Sequence, residues 1–297
     1  MSWKVVLPCT RAEAEAVKGD IAAFAALDCP PVLMTSEVDP ARPGAWRLDA
    51  YFEAEPTPGD LATLKALVPS AGRARARVEK LPEADWLTLS QAGLEPIRAG
   101  RFLVHTPAHR GAAPAGVTAF EIEAGRAFGT GHHETTAGCL AALDRLKRRG
   151  AVFANIADIG TGTGLLAFAA LELWPAARAI ASDIDPVAIE VARDNATVNR
   201  VPLGRGPGRL ALAIAPGLAH RALIARAPYD LVVANILAGP LMELAPQMRR
   251  HLAPGGSLVL SGILERQHDA VVDAYAEQGF RRAGTLRREG WVTIHLE

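Results

Sequence analysis

Three observations predict an α/β chain of two domains. Residues 155–173 read as a buried strand, a glycine-rich turn and a helix; apolar strands and amphipathic helices then alternate to the carboxyl end. Before residue 82 the order is different: strand, helix, strand, strand, helix, strand. The predicted fold is a seven-stranded Rossmann-like domain preceded by a small ferredoxin-like α+β domain. The expected boundaries are 1–92 for the small domain, 93–120 for a linker and 121–297 for the large domain.

In the small domain, Trp3 to Leu7, Val32 to Val38, Trp46 to Glu53 and Arg73 to Leu81 read as strands. Arg11 to Leu27 and Asp60 to Val68 read as helices. Asp28-Cys-Pro-Pro, Asp39-Pro-Ala-Arg-Pro-Gly and Pro56-Thr-Pro-Gly-Asp punctuate them. A four-stranded antiparallel sheet covered on one face by two helices follows, with an open face for a partner. Regularity weakens between Gly93 and Gly125, although Arg101-Phe-Leu-Val-His resembles a short strand, and Gly111 and Gly116 permit motion between the domains.

Beyond residue 155 the expected strands are Ile156 to Ile159, Arg178 to Asp183, Leu210 to Ile214, Leu231 to Asn235 and Ser257 to Ser261. Between and after them run helices Leu165 to Leu173, Pro186 to Asn199, Pro240 to Leu252 and Glu265 to Gln278. Two strands close the chain, with Trp291-Val-Thr-Ile-His-Leu expected antiparallel at the sheet edge. Such alternation implies a mostly parallel sheet wrapped by helices.

Composition narrows the function. Of 297 residues, 49% are hydrophobic, which is ample for two cores, and Lys plus Arg equal Asp plus Glu at 32 each. No global field draws the chain to nucleic acid or to an acidic membrane. Cys9, Cys29 and Cys139 are too scattered for a disulfide framework or a thiolate metal site. No apolar run reaches the length of about eighteen residues that a membrane span needs, and a soluble, cytoplasmic protein is expected. His132-His133-Glu134 lacks the spacing that sets two imidazoles on one helical face, so no metal is expected. No G-x-S-x-G elbow supports hydrolase chemistry.

The turn carries the chemistry. Asp158-Ile-Gly160-Thr-Gly162-Thr-Gly164 lets backbone approach a ligand, and the next strand ends in Asp183, placed to accept both ribose hydroxyls of a nucleoside. A dinucleotide fingerprint is G-x-G-x-x-G, whereas D-x-G-x-G-x-G is similar to the pattern of S-adenosylmethionine-dependent methyltransferases. A turn that merely links strand to helix is the plainer reading, and Asp183 argues against it. Upstream, Ala124 to Thr136 is too glycine-rich for helix. It reads as a loop closing over the cofactor through Phe128, with Thr136 or nearby amides holding the polar end, or as a loop in which Thr135 or Thr136 caps the next helix. Asn235 ends a strand where ligands of open α/β sheets bind. It either bonds its own turn or accepts hydrogen bonds from an incoming amine.

Phe128-Gly129-Thr-Gly-x-His-x-Thr-Thr, the Asp158 turn, Asp183-Ile-Asp-Pro, Asn235-Ile-Leu-Ala-Gly-Pro-Leu and Ser261-Gly-Ile-Leu together resemble the ribosomal large-subunit protein eleven methyltransferase family, a class I methyltransferase group. The likeness runs from about Asp85-Trp86 to the carboxyl end. It implies S-adenosylmethionine as cofactor, held by Thr136, Gly160, Asp183 and Asn235, with Phe128, Gly129 and Gly162 beside them. It also implies that lysine side chains and the terminal α-amine of the ribosomal protein are methylated while the small domain holds that protein. Ala124-Gly125-Arg126 departs from the Pro-Gly-Leu or Pro-Gly-Met of the family at those places.

Alignment and exclusion of water suffice for the transfer, and a lysine of pKa about 10.4 must first lose its proton. The expectation is loss to solvent, with Asn235 orienting the amine as the catalytic residue. The alternatives are a lysine methyltransferase acting on another protein such as an electron-transfer flavoprotein subunit, a nicotinamide-dependent oxidoreductase, and a binding module without turnover. The oligomeric state and the role of the glycine-rich segment 202–209 are not legible.

Overall fold

The computed structural model describes residues 2–17, 31–38, 46–52, 54–72, 74–81, 96–111, 113–122 and 133–297. Two compact units divide the chain, Met1–Ser90 and Gln91–Glu297.

In the first unit, β1 (Ser2–Cys9), β2 (Val32–Glu37), β3 (Trp46–Phe52) and β4 (Arg77–Leu81) form an antiparallel sheet in the order β2-β3-β1-β4. That is the strand order of a split βαβ arrangement. Period-two alternation decides its faces: Val5, Leu7, Leu48 and Ala50 are buried with Ala14 of α1 (Arg11–Val17) and Leu64 of α2 (Pro58–Leu67). On the other face Lys4 and Arg47 pair with Asp49 at 3.2 and 3.1 Å. Thr57 and Asp60 form a capping box that starts α2 two residues earlier than Asp60. The expected continuation of the first helix to Leu27 lies outside the described residues.

The segment expected as a linker carries structure of its own. β5 (Ile97–Ala99), β6 (Phe102–His105) and β7 (Thr118–Glu121) make a three-stranded sheet whose Phe102, Val104 and Phe120 enter the core of the second unit. Asp144, buried on α3 (His133–Arg148), accepts from Arg101 Nε at 2.7 Å and lies 3.1 Å from Arg148 Nε. Those residues therefore belong to the larger unit. The physical reason is that three short apolar strands, too brief to show periodicity, bury their side chains in a core completed by residues farther along the chain, such as Leu143 and Phe168.

The large sheet has seven strands in the order β10-β9-β8-β11-β12-β14-β13. These are β8 (Asn155–Ile159), β9 (Arg178–Asp183), β10 (Arg209–Ile214), β11 (Tyr229–Asn235), β12 (Leu252–Leu264), β13 (Arg282–Arg288) and β14 (Trp291–Leu296). The first five are parallel, β14 is antiparallel to β12, and β13 is antiparallel to β14. Hence β14 lies inside the sheet and β13 forms the edge, contrary to the sequence expectation. Val292 and Ile294 pack into one core and Thr293 is buried on the other face, which an edge position would leave wetter.

Helices cover both faces, with α4 (Leu165–Leu173) and α3 on one core and α7 (Ala238–His251) and α8 (His268–Ala276) on the other. α5 (Pro186–Val198) begins at Asp185, whose carboxylate accepts from Val187 N at 2.8 Å. A short α6 (Arg221–Ile224) precedes β11. β12 begins at Leu252, so Pro254-Gly255-Gly256 forms an irregularity within the strand where a separate turn was expected. Among the described residues no helix is long and apolar enough to cross a membrane.

Candidate active site

The order of strands creates the site. β8 sits between β9, which leads outward to β10, and β11, which leads the other way, so the sheet reverses direction of winding between β8 and β11. Ligands of open α/β sheets bind outside the carboxyl ends of strands at such a point.

From the end of β8 the chain turns through Gly160 to Gly164 into α4. Gly160 has φ +70, and a Cβ there would overlap the Ile236 side chain. Gly164, at φ +87, starts the helix in the left-handed region, where a Cβ would lie 2.5 Å from Phe168 Cζ. Gly160 N and Thr161 N donate to Ser182 O at 2.8 and 3.0 Å. Gly162 N donates to Asp183 Oδ2 at 2.9 Å, and Asp185 N to Asp183 Oδ1 at 3.1 Å. Asp183 is half-buried, and each oxygen retains a lone pair for a further donor. Turn and acid are thus one hydrogen-bonded assembly across two strands.

Asp158 lies beneath the turn. Its Oδ2 accepts from Thr161 Oγ1 at 2.6 Å and Ala167 N at 3.1 Å, while Oδ1 is buried without a partner among the described residues. Burial pushes this carboxyl up to about 7, against the pull of those two hydrogen bonds, and nearby Asp183 adds a smaller push. Ile184, just past Asp183, is 73% exposed and offers an apolar surface beside the carboxylate.

Asn235 ends β11, half-buried, and its Nδ2 lies 3.4 Å from Thr135 Oγ1. With the amide so oriented, Oδ1 is left for another donor. The contact belongs to a polar patch that sequence reasoning missed. Ser261 Oγ of β12 exchanges a hydrogen bond with Thr293 Oγ1 of β14 at 2.9 Å and reaches Val292 O at 3.2 Å and Thr135 O at 3.4 Å. Burial pushes the neighbouring Cys139 thiol up to about 12, which makes it inert. The available signal was Thr293 itself, a polar residue between the apolar Val292 and Ile294.

The structure therefore brings Gly160, Gly162 and Asp183 together and sets Asn235 on the adjoining strand end. Thr136 is half-buried on the first turn of α3, beside Thr135. Because α3 begins at His133, both threonines lie inside the helix and neither is its N-cap. Phe128, Gly129 and His132 lie outside the described residues, as does the side chain of His133. The last described residues before that stretch are held in place: Glu121 N donates to Asn199 Oδ1 at 2.9 Å and Asn199 Nδ2 to Glu121 O at 2.7 Å.

A nucleoside sulfonium fits these residues. Asp183 keeps acceptor capacity where two ribose hydroxyls would sit, and the buried Asp158 Oδ1 beneath the turn has no partner among the described residues. A family model described as ribosomal protein L11 methyltransferase (PrmA) matches residues 3–297. The chain belongs to the ribosomal protein L11 methyltransferase family. Its fold is that of a class I methyltransferase, and its cofactor is S-adenosylmethionine. The ribosomal protein L11 methyltransferase of Mesorhizobium japonicum is 51% identical over 244 residues, 80% of this chain and 82% of the relative. That of Chelativorans sp. is 51% identical over 227 residues, 76% of each chain. Among solved structures, the ribosomal protein L11 methylase of Lactobacillus delbrueckii subsp. bulgaricus superimposes with a TM-score of 0.59 at 28% identity, covering 69% of this chain and 98% of that one. Relatives named for L11 do not favour the electron-transfer flavoprotein alternative.

Proposed function

We propose that the chain methylates lysine side-chain and amino-terminal amines of ribosomal protein L11, with Asn235 as the residue that orients the acceptor. The observation that carries the reading is the placement of Asn235 one strand from the joined Gly162 and Asp183 pair, at the point where the sheet reverses. S-adenosylmethionine, when bound, supplies a methyl group already activated on sulfur.

What the protein adds is geometry. Asp183 and the amides and glycines of the turn hold the nucleoside, and Thr136 with the loop bearing Phe128 and Gly129 holds the remainder. Asn235 Oδ1 accepts a hydrogen bond from the amine and aims its lone pair at the transferable carbon. A protonated lysine has no such lone pair, and its pKa of about 10.4 costs roughly 4 to 5 kcal/mol at neutral pH. Desolvation lowers that cost, and the proton leaves to solvent before attack. The first unit serves to hold the ribosomal protein, and the reaction takes place in the cytoplasm.

The test is intact-mass analysis of unmodified L11 after incubation with the protein and S-adenosylmethionine, beside Asp183→Ala. Stepwise methyl-sized gains that disappear in the variant are expected. Failure of the wild type to add mass while it still binds the cofactor would reject L11 as acceptor. Methylation that persists in full in the variant would reject the ribose contact.

A further inference from the structure

The strand beside Asn235 carries one extra residue. Leu260 of β12 pairs with Ile294 of β14 and Ile263 pairs with Val292, so Ser261 and Gly262 together stand opposite Thr293 alone. This is a β-bulge, and Gly262 adopts the positive φ of +82 within it. The extra residue also returns Ile263 to the same core as Leu260, which unbroken alternation would not do. Bulges beside active sites re-aim side chains, and this one adjoins the carboxyl end of β11, where Asn235 is in register with Ser261.

Gly262 meets the chain just past Asn235. A Cβ on Gly262 would lie 2.7 Å from Ile236 C and 3.1 Å from Ile236 N, and it would overlap Ile236 O. Backbone atoms cannot swing aside as the end of a long side chain can, so glycine is required for the two chains to pass. From the opposite direction, a Cβ on Gly160 would overlap Ile236 Cγ2. Ile236 is thus confined between the glycine turn and the bulge, and that confinement sets the backbone of Asn235.

Ser261 reaches the amide end of the same residue. Its fully buried hydroxyl lies 2.9 Å from Thr293 Oγ1, 3.2 Å from Val292 O and 3.4 Å from Thr135 O. Thr293 faces α3 so closely that a Cβ on Gly138 would overlap its Oγ1, so the start of the helix rests on this hydroxyl pair. Thr135, on that first turn, places its Oγ1 3.4 Å from Asn235 Nδ2. Contacts therefore run from β14 through β12 and α3 to the end of β11. A hydroxyl pair that served only to satisfy the bulge would have sufficient acceptors within the sheet, such as Val292 O. Here it extends out of the sheet to the helix whose threonine meets the amide.

We propose that the Ser261–Gly262 bulge, with Thr293, is the positioning device for the acceptor-orienting amide. Gly262 sets the backbone of Asn235, and the Ser261 and Thr293 hydroxyls, through Thr135, set the direction of its side chain. All three act through Asn235 and are positioning residues. The proposal rests on the reading of Asn235 as the residue that orients the acceptor.

Thr293→Ser and Thr293→Ala differ from each other by the hydroxyl alone, and with Ser261→Ala they provide the test in the full chain. The first readout is the side-chain amide signals of Asn235 in nitrogen-15 spectra, assigned by their loss in Asn235→Ala; it needs no methyl acceptor. Those signals should move in Thr293→Ala and Ser261→Ala and stay in place in Thr293→Ser. With L11 as acceptor, kcat should fall about tenfold in the two hydroxyl-deleted variants and be restored in Thr293→Ser, while KM for L11 and Kd for S-adenosylmethionine stay within about twofold. Gly262→Ala pushes the Ile236 peptide aside and should lower kcat most; the hydroxyl variants decide the matter if it does not fold. In an Asn235→Ala background, Ser261→Ala should lower kcat no further. Unmoved amide signals, an equal loss of kcat in Thr293→Ser and Thr293→Ala, or a full further loss in the Asn235→Ala background would each overturn the proposal. Wild-type kcat in Asn235→Ala alone would instead reject the catalytic reading of Asn235, an outcome distinct from amide signals that fail to move.

Discussion

The two ends of the same seven-stranded sheet differ in chemistry. At the carboxyl ends of β8, β9 and β11 stand two acids and an amide, whereas the amino ends of β8 and β11 are braced by Asp230 and Asn155. Parallel strands make this division possible, since all their starts share one edge and all their ends the other. Side chains at one edge are free for chemistry, while those at the other close the backbone hydrogen bonds that hold the strands in register. Substitution should therefore separate activity from stability by edge.

Asp158 is the exception to that rule, because it stands at the carboxyl edge yet is withdrawn from water, and its replacement should have the largest effect on folding. An unfolded aspartate titrates near about 3.9, whereas the folded one sits at about 7. Below the lower value both states are protonated and no penalty exists. As pH rises toward the upper value the unfolded chain releases its proton first, so this residue's contribution to stability falls, and above about 7 the full penalty persists, at most about 4 kcal/mol. Asp158→Asn should remove that slope between pH 5 and 7 in denaturant titrations. A slope equal to the wild type's would mean that Asp158 is ionised throughout.

Next in size is Asn235→Ala. Loss of acceptor orientation should lower kcat by about 100-fold, close to 3 kcal/mol, with an unchanged unfolding midpoint. Unaltered kcat would remove Asn235 from the mechanism. Asp183→Asn keeps the shape and loses the charge, and calorimetry should show S-adenosylmethionine binding weakened about 30-fold, near 2 kcal/mol. Because the variant can still accept from Gly162 N, the fold should be retained. Smallest is Asp230→Ala at the other edge, which leaves two amides unpaired and should cost about 1 kcal/mol of stability with cofactor affinity intact. A large loss of cofactor affinity there would show that the two edges are coupled, and the contrast between them would fail.

Much of the cluster at the carboxyl ends of β8 and β9 was legible in the amino-acid order. Gly160, Gly162 and Gly164 sit within seven residues of Asp158, and Asp183 ends the very next strand, so short-range periodicity and one strand–helix–strand unit located them. The helix Leu165–Leu173 and the strand Arg178–Asp183 have the expected bounds for the same reason. Less legible was the interior position of β14, since a run such as Trp291-Val-Thr-Ile-His-Leu records that a strand forms but not which neighbours it acquires. The patch of Thr135, Ser261 and Thr293 was missed because its members stand 126 and 32 residues apart. The segment 93–120 read as a connector because its three strands hold few residues each and find their core on α3.

Sequence alone established the α/β class and the family resemblance, because each rests on patterns within a few tens of residues. Tertiary structure decided the rest: that Asp158 is driven toward neutrality, that Asn235 meets Thr135, and that β14 lies inside the sheet. Desolvation and Coulomb interaction depend on which elements are packed together, and distance along the chain does not specify that.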